Sequence, residues 1–307
     1  MRKIIIDTDI GVDDAFALAY AARHMEILGV CAVFGNVTRD QAVKNARLFC
    51  AKMAIRADIY RGCSRPLALD PTPVSGKIHG KDGLGDAFDN PYDASAQDGI
   101  RFIIDSVKAN PGEITLVAIG PLTNIATAIN LAPEIVPLVR EVVIMGGAFG
   151  THGHAGNVTP HCEFNIWKDP HAADQVLSSA LPVVMLPLDV THEVLITGEE
   201  IRATGQPVLT AISRGYLDYS LQSEGFEGMA LHDTLTLSYL INPDWFRVST
   251  SPVRVVTEGL SRGQTLRRTT ALATRFDPFA GCGLQKICLG VEAAPLKAHF
   301  LQSLTLI

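Results

Sequence analysis

Four carboxylates fall within eight residues near the start of the chain, in Asp7-Thr8-Asp9-Ile10-Gly11-Val12-Asp13-Asp14. Like charges this close repel, and burying even one of them unpaired is costly. Amides at a helix N-terminus offset part of that cost. A hard cation with oxygen ligands offsets far more. The stretch therefore predicts a metal-dependent catalytic site. An aspartate at a strand end often only caps the next helix, and that is the expected role of Asp7. Capping accounts for two of the four at most.

More oxygen-bearing residues follow other apolar runs: Asn36, Gly120 to Asn124, then Asn157, Glu163 and Asn165 in a long loop, and Asp189. In a parallel α/β sheet such strand ends share one edge, where ligands bind. The set holds carboxylates, carboxamides and backbone carbonyls, and no His-Cys cluster with zinc spacing. Oxygen-only ligation points to calcium or magnesium. A carboxamide can donate to one hydroxyl and accept from another, so the reading is a metal site that grips a sugar. Taken singly, the same residues are bland. Asn36 reads as a turn residue; Asn157, Glu163 and Asn165 as solvated loop residues; His79 as a loop histidine; and Asp233, after His232, as a helix N-cap. His24, His152, His154, His161, His171, His192 and His299 read as surface or structural.

The elements that must position these groups alternate. Ile4–Ile6 opens a buried strand, and an apolar-periodic helix runs from Ala15 to about Arg23. Further strands are expected at Leu28–Phe34, Ile59-Tyr60, Ile114–Ile119, Glu141–Met145 and Pro182–Leu188. Helices are expected after Thr38, where Thr38 and Gln41 have capping-box spacing, over 97–109, after Asn124, and from Pro170. This succession predicts an α/β fold with an open, mostly parallel, doubly wound, Rossmann-like sheet and helices on both faces. Beyond residue 190 the pattern turns helical, near 198–204, 206–222 and 231–241. Strands follow near Val253–Thr257 and Ile287–Glu292, with a terminal helix from about Pro295. No repeat or linker divides the chain, so one domain over 1–307 with a helical C-terminal elaboration is expected. The unpatterned stretch 62–95, which holds His79, is long enough to suggest function.

Bulk properties narrow the class. The chain has 307 residues, 47% hydrophobic and 19% charged, with a net charge of -6. That balance fits a globular protein with a large core. It argues against a nucleic-acid surface, which needs clustered Lys and Arg. No apolar run is long enough for a membrane span, and the N-terminus does not read as a signal peptide. The six cysteines are scattered without a CxxC pair. They read as reduced thiols of a cytoplasmic protein.

Asp7-Thr8-Asp9-Ile10-Gly11-Val12-Asp13-Asp14-Ala15 resembles the N-terminal signature of the inosine-uridine-preferring nucleoside hydrolases. The resemblance continues through Gly35-Asn36-Val37, His79-Gly80, Gly83-Leu84-Gly85 and Gly120-Pro121-Leu122-Thr123-Asn124. It also takes in Met145-Gly146-Gly147-Ala148, Asn157, Glu163-Phe164-Asn165, Asp169-Pro170 and Leu231-His232-Asp233. It implies calcium-dependent hydrolysis of the N-glycosidic bond of purine or pyrimidine ribonucleosides, a dimer or tetramer, and a place in nucleoside salvage. By matching positions it implies Ca2+ held by Asp9, Asp14, Asp233 and the Ile119 carbonyl. Ribose would be held by Asp13, Asn36, Asn157, Glu163 and Asn165, with His79 and Met145 beside it. Asp9 would be the general base and His232 the acid for the leaving base. Two departures stand out. Ile10 replaces a common Pro, and Glu224 replaces a Tyr within Tyr216–Phe226, which leaves nucleobase contacts in 216–229 open. Two other classes compete: a haloacid-dehalogenase-type phosphohydrolase with Asp7 as nucleophile, and a non-catalytic nucleoside- or sugar-binding protein. The first lacks a convincing lysine for phosphate. The second does not explain the retention of both Asp9 and His232.

Overall fold

The computed structural model describes residues 1–74, 76–225, 227–270 and 275–305. In chain order its strands are β1 (Arg2–Thr8), β2 (Met25–Ala32), β3 (Ile59–Arg61), β4 (Gln97–Asp98), β5 (Ile114–Ala118), β6 (Glu141–Met145), β7 (Val183–Leu186), β8 (Leu195–Ile196), β9 (Met229–Ala230), β10 (Phe246–Val255), β11 (Thr265–Arg267) and β12 (Leu284–Val291). The helices are α1 (Val12–His24), α2 (Arg39–Lys52), α3 (Gly99–Ala109), α4 (Thr123–Leu131), α5 (Phe164–Lys168), α6 (Pro170–Ser178), α7 (Leu188–Thr191), α8 (Gly198–Ala203), α9 (Pro207–Ile212), α10 (Arg214–Tyr219), α11 (Thr234–Ile241) and α12 (Ala293–Thr305).

Ten strands form one sheet in the order β11-β10-β12-β7-β6-β5-β1-β2-β3-β4. From β4 to β12 every pairing is parallel; β10 and β11 add an antiparallel edge. The mostly parallel α/β architecture expected from the sequence is therefore present, with helices filling much of 188–241 and α12 following the last sheet strand. Side chains of β1 alternate between two cores. Ile4 and Ile6 join α1, α2, α11 and α12 on one face, while Ile5 joins α3, α4 and α6 on the other. A strand covered on both faces reads as an unbroken apolar run, which is why β1 was legible. On the first face, Phe16 and Tyr20 of α1 meet Phe300 of α12, with ring centroids 6.4 and 5.1 Å apart.

Several boundaries differ from expectation for identifiable reasons. The β2 ladder stops at Ala32, rather than running to Phe34, because its partner β1 ends at Thr8. The helix expected from 97 starts at Gly99, since Gln97-Asp98 pairs with Tyr60-Arg61 and the Asp98 carboxylate caps the helix. Pro187 has no N–H for a ladder, so β7 ends at Leu186 and Leu188–Thr191 forms a single helical turn. Thr38 caps α2 as expected, but Gln41 turns to Asn45, so the capping box is half formed. The 206–222 stretch divides into α9, α10 and a π turn at Ser220–Glu224. Sequence reading missed β11, the two-stranded β8-β9 sheet, and the first half of β10, where exposed Arg247 and Val248 dilute the apolar pattern. All six cysteines are unpaired. Among the described residues no helix is long and apolar enough to cross a membrane.

Candidate active site

At the C-terminal edge of the parallel strands, Thr8 ends β1 and Gly11 caps α1. Asp14 reaches back over that turn: its carboxylate accepts from the Gly11 amide at 2.7 Å, the Thr8 hydroxyl at 2.5 Å and the Asn36 side chain at 3.3 Å. Asp9 accepts from the Asn36 amide at 2.5 Å through Oδ2, while its Oδ1 is buried without a partner. Gly35 makes this seat possible, because a Cβ there would sit 1.9 Å from Asp9 Oδ2. Asp233 stands at the N-terminus of α11 and makes no capping hydrogen bond. Its carboxylate instead faces Asp13 and Asp14, and oxygens of these three buried residues lie within 4.8 Å of one another. Asp9 is not in that triple, although the charges of Asp14 and Asp13 act on it. Among the described residues the oxygens that cluster this closely are those of Asp13, Asp14 and Asp233, whereas the family resemblance implies Asp9, Asp14 and Asp233 as ligands.

Burial dominates the electrostatics. It raises Asp9 and Asp233 well above the usual carboxylate range, helped by their acidic neighbours, and pushes Asp13 up to about 6 and Asp14 to about 7. Orphaned oxygens on Asp9 and Asp13 and an all-oxygen donor set are what a hard cation would satisfy. The residues fit a divalent metal ion.

Above this floor opens a cleft of about 830 Å3, counted out to open solvent. Asn36, Asn157, Glu163 and Asn165 line it with Met145, His79, Phe164, Tyr216 and His232, and among the described residues no Lys or Arg does. Glu163 caps α5, accepting from the amides of Asn165, Ile166 and Gly147, and burial raises it to about 7. Asn165 donates to the carbonyls of Ile119 and Met145, both at 3.1 Å. Asn157 is exposed at the rim, and its side chain accepts from the Phe164 amide. His79 accepts from the Val12 amide at 3.1 Å through Nδ1 and is pushed down to about 4 by burial. Its 3.7 Å approach to Asp13 is therefore not an ion pair near neutral pH. His232 is buried and bonded through Nδ1 to the Thr191 hydroxyl at 2.8 Å. Burial, with lesser contributions from His192, His79 and His154, pushes it well below the ordinary histidine range.

Three strand-end residues serve the scaffold. Asp7 caps nothing; it is buried in β1 and accepts from Asn124, which in turn binds the Cys63 amide. Asp189 holds the loop after β6 through the amides of Phe149 and Thr151. His192, read as structural, packs edge-on to His232 at 5.0 Å between centroids, a contact that no local pattern signals. Phe226 and the side chain of Glu224 lie outside the described residues.

A sequence profile described as inosine-uridine preferring nucleoside hydrolase covers residues 4–289. The chain belongs to that family. It is 39% identical over 276 residues to the pyrimidine-specific ribonucleoside hydrolase RihB of Escherichia coli O1:K1 / APEC, covering 86% of this chain and 87% of that one. The plant nucleoside hydrolase PpNRh1 superposes with a TM-score of 0.94 at 29% identity, over 99% of both chains. A purine-preferring ribonucleoside hydrolase from Gardnerella vaginalis gives a TM-score of 0.89 at 33% identity, over 99% of this chain and 98% of that one. This nucleoside hydrolase is an N-glycosidase of ribonucleosides, which sets aside the phosphohydrolase reading, as does a cleft that no Lys or Arg lines among the described residues.

The acidic floor yields a stability prediction. A carboxyl raised on folding binds more protons folded than unfolded, so its stabilisation is complete below the unfolded value and is lost as pH rises through the folded one. For Asp13, Asp14 and Glu163 that window runs from 3.8 or 4.5 up to about 6 or 7. Thermal melts in chelator should therefore fall as pH rises from 5 to 7.5, and the gain on adding a saturating divalent cation should grow over the same interval. A gain that is absent, or constant with pH, would contradict the metal reading.

Proposed function

We propose that the chain hydrolyses ribonucleosides in a calcium-dependent reaction, with Asp9 as general base and His232 assisting departure of the nucleobase. The observation carrying this reading is the convergence of Asp13, Asp14 and Asp233 beneath a cleft walled by carboxamides and, among the described residues, by no Lys or Arg. Asp9, Asp14, Asp233 and the Ile119 carbonyl would hold the ion, with Asp13 beside it. Oxygen-only donors favour calcium over zinc. When bound, the ion would neutralise part of the buried negative charge, return the aspartates to their ionised form and make a nearby water more acidic.

The side chains divide the remaining work. Ionised Asp9 takes the proton of the attacking water. Asp13, Asn36, Asn157, Glu163 and Asn165 hold the ribose hydroxyls, and Met145 and His79 pack beside the sugar and base. As the C–N bond breaks, positive charge grows on the sugar. The same carboxylates and carboxamides stabilise it from fixed positions. Water arrives opposite the base, so the product ribose is inverted at the anomeric carbon. Negative charge grows on the departing base. The resemblance implies His232 as the acid for the leaving base. Burial keeps His232 neutral near pH 7, so it serves as a hydrogen-bond donor to the base, a role that a neutral imidazole can fill. Tyr216, Tyr219 and Phe164 supply aromatic surface for the base. The named relatives include a pyrimidine-specific and a purine-preferring enzyme, and both base classes belong in the assay.

Incubation with uridine and with inosine should release free base and ribose. Asp9→Ala should abolish release while the fold persists; near-normal turnover would remove Asp9 from the base role. His232→Ala should slow natural nucleosides by about 10²–10⁴-fold and barely change p-nitrophenyl riboside, whose leaving group needs no donor. Equal losses on both would remove His232 from the leaving-group role. Nucleoside binding without base release would instead favour the non-catalytic reading.

A further inference from the structure

His232 is fixed from two directions. Its backbone follows β9, which pairs antiparallel with β8, and the Leu231 amide donates to the Val194 carbonyl at 2.9 Å. Its ring meets α7, whose four residues are all fully buried. The two sides of that helical turn face different parts of the site. Asp189 ties down the loop that leads to Asn157 and Glu163, through the Phe149 and Thr151 amides at 2.8 and 2.6 Å. Two residues on, the Thr191 hydroxyl lies 2.8 Å from His232 Nδ1.

A hydroxyl can donate or accept, and so can each nitrogen of a neutral imidazole. Context decides between the two arrangements. Among the described residues the Thr191 hydroxyl has no other hydrogen bond, whereas helical threonines commonly donate to the carbonyl four residues back. If Nδ1 carried the hydrogen, the buried Thr191 hydroxyl would be left without an acceptor, at a cost. If the hydroxyl donates to Nδ1, both groups are satisfied, and the imidazole hydrogen must sit on Nε2. His232 lines the cleft, and Nδ1 is taken by the protein interior. The nitrogen left for a ligand is then a donor. On the opposite arrangement it is an acceptor, which would repel a departing base that carries lone pairs and growing negative charge.

We propose that Thr191 is a positioning residue for the glycosidic cleavage: its hydroxyl donates to Nδ1 of His232 and so selects the tautomer that presents an N–H to the leaving nucleobase. The inference rests on the leaving-group role of His232 stated above. Thr191 touches neither substrate nor metal; it acts through the ring it orients. Its place one turn after Pro187, on the same buried helix as Asp189, links the register of the sugar-holding loop to the register of the donor. The motif Leu188-Asp189-Val190-Thr191 thus does more than end a strand.

The test compares Thr191→Val, which keeps the shape and removes the hydroxyl, with Thr191→Ser, which keeps the hydroxyl. For uridine and inosine, Thr191→Val should lower kcat about tenfold, the rate equivalent of one hydrogen bond lost in the transition state, with KM little changed. On p-nitrophenyl riboside it should match the parent protein. Thr191→Ser should recover most of the nucleoside rate. A melt of each variant with and without calcium checks that the site is assembled. Parallel losses on nucleosides and on the p-nitrophenyl substrate, or a serine variant no better than the valine one, would assign Thr191 a purely structural role. No loss in Thr191→Val would also overturn the proposal. If His232→Ala discriminates between leaving groups and Thr191→Val does not, only the Thr191 inference fails. If His232→Ala itself does not discriminate, the reading beneath it fails.

Discussion

Too much negative charge is buried in too small a space, and the architecture of the active site follows from that constraint. Asp9, Asp13, Asp14 and Asp233 are all removed from solvent, and three of them bring oxygens within 4.8 Å of one another. Burial alone would drive such groups to protonate. The chain resists only in part. The Gly11 and Asn36 amides, the Thr8 hydroxyl and the Asn36 side chain donate to Asp9 and Asp14, yet Asp9 Oδ1 and Asp13 Oδ1 receive no hydrogen bond. A cluster so organised and so incompletely neutralised is poised for a cation and for the hydroxyls of a sugar.

The sheet supplies the stiffness that such a cluster requires. β1 lies inside a ten-stranded sheet with its side chains divided between two cores, so the turn carrying Asp9, Asp13 and Asp14 cannot relax away from its own repulsion. Asp233 arrives from the far side on α11, which packs against α1. The loop after β6 is held by Glu163 on one flank and Asp189 on the other. The same carboxylate often does both jobs: Glu163 caps α5 and lines the cleft, and Asp14 closes the first turn of α1 while forming part of the acidic floor.

Much of this was legible in the residues, and the limits have physical causes. Strands buried on both faces, such as β1, β5 and β6, announce themselves as continuous apolar runs, and the edge where Asp9, Asn36 and Glu163 meet follows from parallel topology. The amphipathic edge was harder. β10 is exposed at Arg247, Val248 and Thr250 in its first half and largely buried in its second, and β11 has three residues. Among single residues, sequence could not separate an aspartate that caps from one that faces a cluster. Asp7 was expected to cap and does not, whereas Asp233 was equally consistent with a simple cap and instead turns to Asp13 and Asp14. Nor could it reveal that Asn124 and Asp189 look inward to the scaffold, because their partners are distant in the chain and local pattern carries no trace of them. The Thr191–His232 contact spans 41 residues and is of this kind.

Calorimetric titration of the chelated protein with calcium tests the central claim most directly. The account predicts a single ion bound per chain, with binding lost in both Asp14→Ala and Asp233→Ala and catalysis restored in step with occupancy. Undiminished nucleoside cleavage by protein that binds no divalent cation, or calcium binding untouched by either substitution, would contradict it.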